Sequence, residues 1–262
     1  MWIPSFEFWY LFPTGIAVAT IAMSSGVSGS NFWIPIYLLV MGLEPRSAFW
    51  ASLATLCFGF GSGVIQNARA GTIDRPTLTH VLPVAMAAAA IGAVTSRFLP
   101  IRWLLVALAA FLIGFAVRLV ADVRRHGDAE PTGERPCRVR ALLAGLSQGA
   151  IATGSGALLL PCLLADRRLG RRPASAVGST VMVVFACSLV AVVFRLDAAL
   201  FGALHDDWPS LASMLCFAGP GAAVGGQLGP RLARRLPRRA LRLYVAAVLA
   251  GVGLLVLTRT IG

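Results

Sequence analysis

The sequence predicts an all-α polytopic membrane protein, and three observations lead there. Apolar residues make up 57% of the 262 and charged residues only 13%. Mean hydropathy is +0.78. The apolar residues also fall in runs, such as Phe49–Phe60, Val81–Val94 and Tyr244–Leu257, with no polar face between them. A soluble domain carries about 25% charged residues and arranges its apolar ones in stripes along amphipathic helices. A run that is apolar all round needs lipid or protein interior on every side, and about 20 such residues cross a bilayer.

Eight long apolar segments follow in order, at about Phe8–Ser25, Ala48–Ile65, Leu78–Thr95, Ile101–Val120, Val139–Thr153, Ala174–Phe194, Leu211–Gly229 and Ala240–Leu257. Two shorter broken segments, Phe32–Leu43 and Ala157–Leu164, each come after a Gly/Ser run. The N-terminal stretch lacks the basic region and small-residue cleavage site of a signal peptide; its aromatics suit an interfacial anchor. The one sizeable hydrophilic stretch, Asp122–Arg138, divides the chain into a first transmembrane repeat (1–121), a polar connecting loop (122–138) and a second repeat (139–262).

The halves read as homologous copies. Ser28-Gly-Ser-Asn-Phe-Trp-Ile-Pro35 precedes Gly42, Pro45 and Ser47-Ala48; Gly154-Ser-Gly-Ala-Leu-Leu-Leu-Pro161 precedes Gly170, Pro173 and Ser175-Ala176. Leu99-Pro100 with Gly114 matches Leu236-Pro237 with Gly251. Such repeats are characteristic of secondary transporters, whose binding site lies between the copies.

The net charge of +12 comes from 23 basic residues, all arginine. In a soluble chain this would point to nucleic acid; here the arginines occupy short loops, where positive charge sets topology. If each short segment completes a crossing, five crossings per half invert the second copy. Both termini are then outside, and only Arg46, Arg97, Arg102, Arg195 and Arg259 share that side. Re-entrant short segments would spread the arginines almost evenly, so the positive-inside rule favours inverted repeats in a bacterial inner membrane. The five cysteines show no metal or CxxC spacing; the four in apolar segments read as small buried hydrophobes, and Cys137, in the polar loop, as an accessible thiol that could report its sidedness.

The local chemistry concentrates in two breaks at membrane depth: Ser24-Ser-Gly-Val-Ser-Gly-Ser-Asn31 and Thr153-Gly-Ser-Gly156. Irregular backbone survives in a bilayer only where protein buries it or a cavity meets it. A break that opens a half-helix leaves free N–H groups at the positive end of the helix dipole. Ser25, Gly26, Ser28, Gly29, Ser30 and Asn31 from one break, with Thr153, Gly154, Ser155 and Gly156 from the other, make a candidate anion site. The bland alternative is close helix packing by small residues. Ser52, Thr55, Ser179 and Thr180 lie inside spans and extend the candidate site, although hydroxyls there often bond back to their own helix. Gln66, Asn67 and Gln148 are costly to leave dry and suit a cavity.

These breaks, the proline a few residues on, the Ser-Ala pair opening the next span, Asn67-Ala-Arg-Ala-Gly-Thr-Ile-Asp74 and Gly225-Gly-Gln-Leu-Gly-Pro-Arg-Leu-Ala-Arg-Arg-Leu-Pro237 resemble the sulfite exporter TauE/SafE-type permeases over nearly the whole chain. The resemblance implies transport of small anions: sulfite, sulfonates or related organosulfur acids. The sequence departs from the family's Gly-x-Gly-Gly-Gly by carrying Ser28 and Ser30 where glycines are usual, and one glycine fewer in the second half.

Two other readings compete. Gly26-Val-Ser-Gly29 fits the GxSG of an intramembrane serine protease, but that nucleophile needs a His base within hydrogen-bond reach. His80, His126 and His205 all lie at segment ends or in loops. A non-transporting scaffold is the other. No cofactor or metal set emerges from three scattered histidines and acids at segment ends. The partners are then a small sulfur anion and the lipid bilayer, not nucleic acid, with a homo-oligomer left open. No carboxylate lies mid-span, which argues against proton coupling and favours an exporter driven by the membrane potential.

Overall fold

A computed structural model describes residues 5–25, 28–124, 137–206, 208–233 and 238–261, and all regular structure among them is helical. In the first half α1 (Leu11–Ser25) runs to the first break. Beyond it α2 (Ser30–Pro35) continues as a π-helical stretch, Ile36–Val40. Then come α3 (Pro45–Arg69), α4 (Arg75–Phe98) and α5 (Ile101–Arg124). In the second half α6 (Cys137–Ile151) stops at the second break, and α7 (Ser155–Ala165) and the short α8 (Arg167–Gly170) follow. The chain ends with α9 (Pro173–Arg195), α10 (Ala198–Asp206), α11 (Trp208–Ala233) and α12 (Arg238–Ile261).

Local sequence explains the boundaries. Pro45 and Pro173 open α3 and α9 in the first turn, where a missing N–H costs nothing. The Asp74 carboxylate caps α4 by accepting from the Thr77 N–H at 3.0 Å. Asp166 caps α8 by accepting from the Arg168 and Leu169 N–H groups at 2.8 and 3.1 Å. Each short helix carries an internal proline, Pro35 or Pro161. Its missing donor limits how far a regular helix continues, and a π-helical stretch follows Pro35.

Packing partners are reciprocal between the halves. Helix α1 packs along α11 and α6 along α4, α3 meets α11 as α9 meets α4, and α5 and α12 pair with each other. The two largest contacts are glycine seams. Gly221, Gly225 and Gly229 of α11 lie against the backbone or Cβ of Phe12, Ile16 and Met23, and Gly145 and Gly149 of α6 lie against the Ala85 and Ala89 carbonyls of α4. Helices in lipid gain no hydrophobic drive from pairing, so backbone approach of this kind is what holds them together.

The seams also give direction. Rising numbers in α1 meet rising numbers in α11, and the same holds for α6 and α4, so each pair is parallel. One end of the bundle gathers residues 5, 10, 41, 46, 97 and 196: the Ser5 N–H donates to Ser213 Oγ at 3.0 Å, the Tyr10 hydroxyl to Met41 Sδ at 3.5 Å, Arg46 to the Arg97 carbonyl at 3.3 Å and Arg97 to the Leu196 carbonyl at 2.8 Å. The opposite end gathers the α3–α4 turn with the start of α9, where the Asp74 N–H donates to Ser179 Oγ at 3.0 Å and Arg168 pairs with Asp74. Helix α1 therefore leaves the first end, and the chain returns to it after α2. Helix α6 leaves the second end, and α7 returns there, where Cys162 is disulfide-bonded to Cys137.

Several expectations are corrected. Six helices, not eight, are long and apolar enough to cross a membrane among the described residues. Helix α6 has only 15 residues because the second break ends it at Ile151; α12 has 24 residues, of which Ala246–Thr258 is the described apolar part. The region around His205, expected as an open loop, is largely helix α10. Asp197 starts it by accepting from the Leu200 N–H at 2.7 Å, and Leu200 and Leu204, one turn apart, bury against Leu11 and Leu211. Cys137, expected as a free thiol in the polar loop, and Cys162, expected as a buried one, form a disulfide.

Two expected outcomes follow. Gly149→Leu places a side chain into the Ala89 carbonyl and should destabilise the detergent-solubilised protein by about 1–3 kcal/mol or more, the scale of overpacking. Gly114→Leu, with open space around it, should leave the unfolding midpoint unchanged. At the second end, burial alone would raise the Asp74 carboxyl, but hydrogen bonds from Thr77 and the Arg168 charge outweigh it and hold it below its ordinary value. A depressed folded pKa stabilises the fold above the unfolded value of about 3.9, and the gain is lost as pH falls through the folded one. Asp74→Asn keeps a capping oxygen, so it should cost only about 0.2–1 kcal/mol at pH 7. It should also narrow the difference in midpoint between pH 7 and pH 3.

Candidate functional site

The two breaks meet. The Thr153 hydroxyl donates to the Asn31 side-chain carbonyl, joining the first residues of α2 to the last residues before α7. Asn31, Ser30, Thr153 and Ser155 have no solvent exposure and Ser28 has 1%, so the polar residues the sequence singled out are at the centre of the bundle. Gly154 takes φ +101° and Ala152 φ 56°. The first is a conformation glycine adopts freely. The second, at a residue with a Cβ, is a strained turn that only a packed surrounding maintains. No side chain caps α2 at Gly29 or α7 at Gly154, which leaves the positive end of each helix turned towards the junction.

Each break satisfies its own hydroxyls differently. At the first, Ser28 Oγ and Ser30 Oγ pair at 2.7 Å. At the second, the Ser155 hydroxyl donates to Gln148 Oε1 at 2.7 Å, Gln148 Nε2 donates to Ser188 Oγ at 3.0 Å, and the Ser188 hydroxyl donates to the Val184 carbonyl at 2.7 Å. That chain ties the break to α9. One donor is left over: Asn31 Nδ2 is buried and has no hydrogen-bond partner among the described residues. An orphaned buried donor costs about 1–3 kcal/mol, which a ligand oxygen would recover.

A cavity adjoins the junction, lined by Ser28 from the first break, Gly156 and Leu160 from α7, and Val177, Thr180, Val181 and Val184 from α9, with Ala22, Met23 and Phe60 completing the wall. Its walls are mainly apolar, with Ser28 and Thr180 the polar side chains among them. Beside it a second cavity lies over Gly29 and Thr55. A site of this kind, apolar with a few convergent donors, fits a small ligand, and the donors present suit an anion.

Not every residue singled out belongs to this centre. Gly26 lies outside the described residues, and of Ser25 only the helical backbone is described. Ser52 bonds back to the Phe49 carbonyl at 2.7 Å and Thr55 to the Ala51 carbonyl at 2.9 Å; Thr55 also pairs with the Tyr37 hydroxyl at 2.7 Å. Thr180 bonds back to the Ala176 carbonyl at 2.8 Å but still lines the cavity. Ser179 is remote, bound to the Asp74 N–H at the second end. Ser28, the GxSG serine, has Ser30 as its described hydrogen-bond partner, while His80 and His205 are exposed on α4 and α10.

Sequence reasoning passed over two contributors. Ser188 completes the Gln148 chain, and its spacing from Thr180, two turns along one helix face, was the available signal. Tyr37 holds Thr55 and stacks on Trp33 with ring centroids 5.3 Å apart; nothing in a short apolar run distinguishes it from a membrane-interface tyrosine.

No curated protein and no solved structure matches this chain. The family model for the sulfite exporter TauE/SafE matches residues 11–256, which takes in both breaks and every helix that frames them. The chain is a member of the sulfite exporter TauE/SafE family, a family of membrane transporters.

Proposed function

We propose that this protein is a permease for small anions, sulfite, sulfonates or related organosulfur acids, and that it works as an exporter in a bacterial inner membrane. The observation that carries the reading is the junction of the two breaks. Two uncapped helix N-termini meet there beside an unpartnered buried donor, Asn31 Nδ2, and a cavity. Helix N-termini and amide donors recognise anions without a full counter-charge. Binding at such a site stays weak enough for release, which a carrier needs. The polar atoms are Ser28, Asn31, Thr153 and the backbone at Gly156; Gln148 and Ser188 hold the second break in shape.

Outward movement of an anion needs no coupling ion. At about 2.3 kcal/mol per 100 mV, a potential of about 150 mV, inside negative, gives an exiting monoanion roughly 3.4 kcal/mol. That sustains a gradient of roughly 300-fold at 1.4 kcal/mol per tenfold. We also read the halves as inverted repeats with both termini outside. The opposite starting ends of α1 and α6 and the reciprocal helix pairs support this, as does the scarcity of arginine at the first end.

Purified protein in liposomes loaded with sulfite should show saturable efflux. Gly156→Leu fills the cavity and should abolish it while membrane insertion persists. Ser28→Ala should weaken binding by about 1–2 kcal/mol, the scale of a hydrogen bond to a charged group. Unchanged efflux in Gly156→Leu would remove the junction as the binding site.

Sidedness has its own check. The disulfide makes Cys137 unsuitable as a probe, so Glu44→Cys and Ala70→Cys, both at exposed positions, are placed in a chain whose free thiols Cys57, Cys187 and Cys216 are replaced. A membrane-impermeant maleimide should label Glu44→Cys in intact spheroplasts and Ala70→Cys only after permeabilisation; the reverse pattern would turn the protein over in the membrane.

A further inference from the structure

The first end of the bundle holds a second, differently built cavity. Arg46 at the start of α3, Arg97 at the end of α4 and Arg195 at the end of α9 line it together with Ser96, Leu200 and a single carboxylate, Asp197. Three guanidinium groups remain charged at any physiological pH, and Asp197 offsets one. Helix ends do not offset the rest. The C-terminal ends of α4, α6 and α9 converge here, but so do the N-terminal ends of α3, α5 and α10, and half-charges of opposite sign cancel.

The arginines are fixed in place. Arg195 is only 6% exposed and donates to the Gly149 and Ala150 carbonyls at 3.1 and 2.6 Å, with its guanidinium 5.2 Å from the centre of the Phe49 ring. Arg97 donates to the Leu196 and Phe194 carbonyls. Its Nε is buried without a hydrogen-bond partner, and the nearest Asp197 oxygen is 3.9 Å away. Glu44, near Arg46 in the chain, is exposed and does not line the cavity. The pocket therefore has surplus positive charge, donors held by main-chain carbonyls and at least one unused N–H.

We propose that this cavity is a second anion-binding site, a vestibule that takes a small oxyanion at the first end of the bundle. Its position links it to the breaks. The two carbonyls that Arg195 holds belong to the last turn of α6, immediately before Ala152 and Thr153. Arg195 therefore bridges the last turn before the junction and the charged cavity at the first end. The role as a vestibule rests on the permease reading; anion binding at the arginines does not.

The test is the anion-dependent thermal shift of the solubilised protein, with sulfite as the probe at constant ionic strength, run beside sulfite efflux. Sulfite should raise the midpoint by several degrees in the wild type and, through this cavity alone, by a smaller but distinct amount in Gly156→Leu, whose junction is filled. Arg46→Gln should lower the wild-type rise and abolish the one that remains in Gly156→Leu, and Asp197→Asn, which keeps an oxygen for the Leu200 N–H, should enlarge both. In efflux, Arg46→Gln should raise the half-saturating sulfite concentration several-fold. A purely structural cluster would instead lose stability in both variants without altering the response to sulfite. No rise in the wild type, or an equal rise in Arg46→Gln, overturns the vestibule; persistent efflux in Gly156→Leu overturns the junction and leaves the vestibule standing.

Discussion

The hydrogen-bonding demand of backbone in a hydrocarbon medium governs the rest of this structure. An N–H or C=O without a partner costs several kcal/mol there, so two non-helical breaks at membrane depth must be enclosed by protein. That enclosure fixes where α2 and α7 go: each folds back against its own half, and the breaks meet at Asn31 and Thr153. It also explains the glycine seams. Backbone contact between helices, as between α1 and α11 at Gly221 and Gly225 and between α4 and α6 at Gly145 and Gly149, holds the helices that carry the breaks close to their neighbours.

The two breaks solve the same problem with different side chains. Ser28 and Ser30 pair with each other and so need no neighbouring helix. Ser155 is held by Gln148, and Gln148 by Ser188 of α9. The second break is thus tied to a long helix, while the first keeps a spare donor on Asn31.

What the sequence made legible, and what it did not, follows from range. The breaks, the prolines and the Ser-Ala starts of α3 and α9 are local features, and each appears where the residues indicate; most of the polar connecting loop, 125–136, lies outside the described residues. The burial of Ser28, Ser30, Asn31, Thr153 and Ser155 was legible too, because polar residues inside apolar runs have nowhere else to go. Long-range consequences were hidden. Ser179 and Thr180 are neighbours in sequence, yet one serves the α3–α4 turn and the other the cavity. Which face of α9 points where depends on its partners. The Cys137–Cys162 disulfide joins a residue at a helix start to one within an apolar run, and no spacing rule reports that. Helix α10 was masked by the polar His205-Asp206-Asp207, although Asp197 with Leu200 and Leu204 is a capped amphipathic turn.

Arginine needs to be read twice in a protein of this kind. Counted by side, it reports topology: the residues at the second end, such as Arg69, Arg75, Arg171 and Arg172, are exposed and serve by being charged anywhere in their loops. Counted by cavity, it reports something else. Arg46, Arg97 and Arg195 lie at the opposite end of the bundle. They are gathered around one pocket, and the most buried of them is held by carbonyls rather than by an acid. Burying a guanidinium carries a desolvation cost, which for Arg195 the Gly149 and Ala150 carbonyls and the Phe49 ring offset. Arg195, which the sequence presents as an ordinary loop residue, is in the fold the link between the last turn of α6 and the charged pocket at the first end.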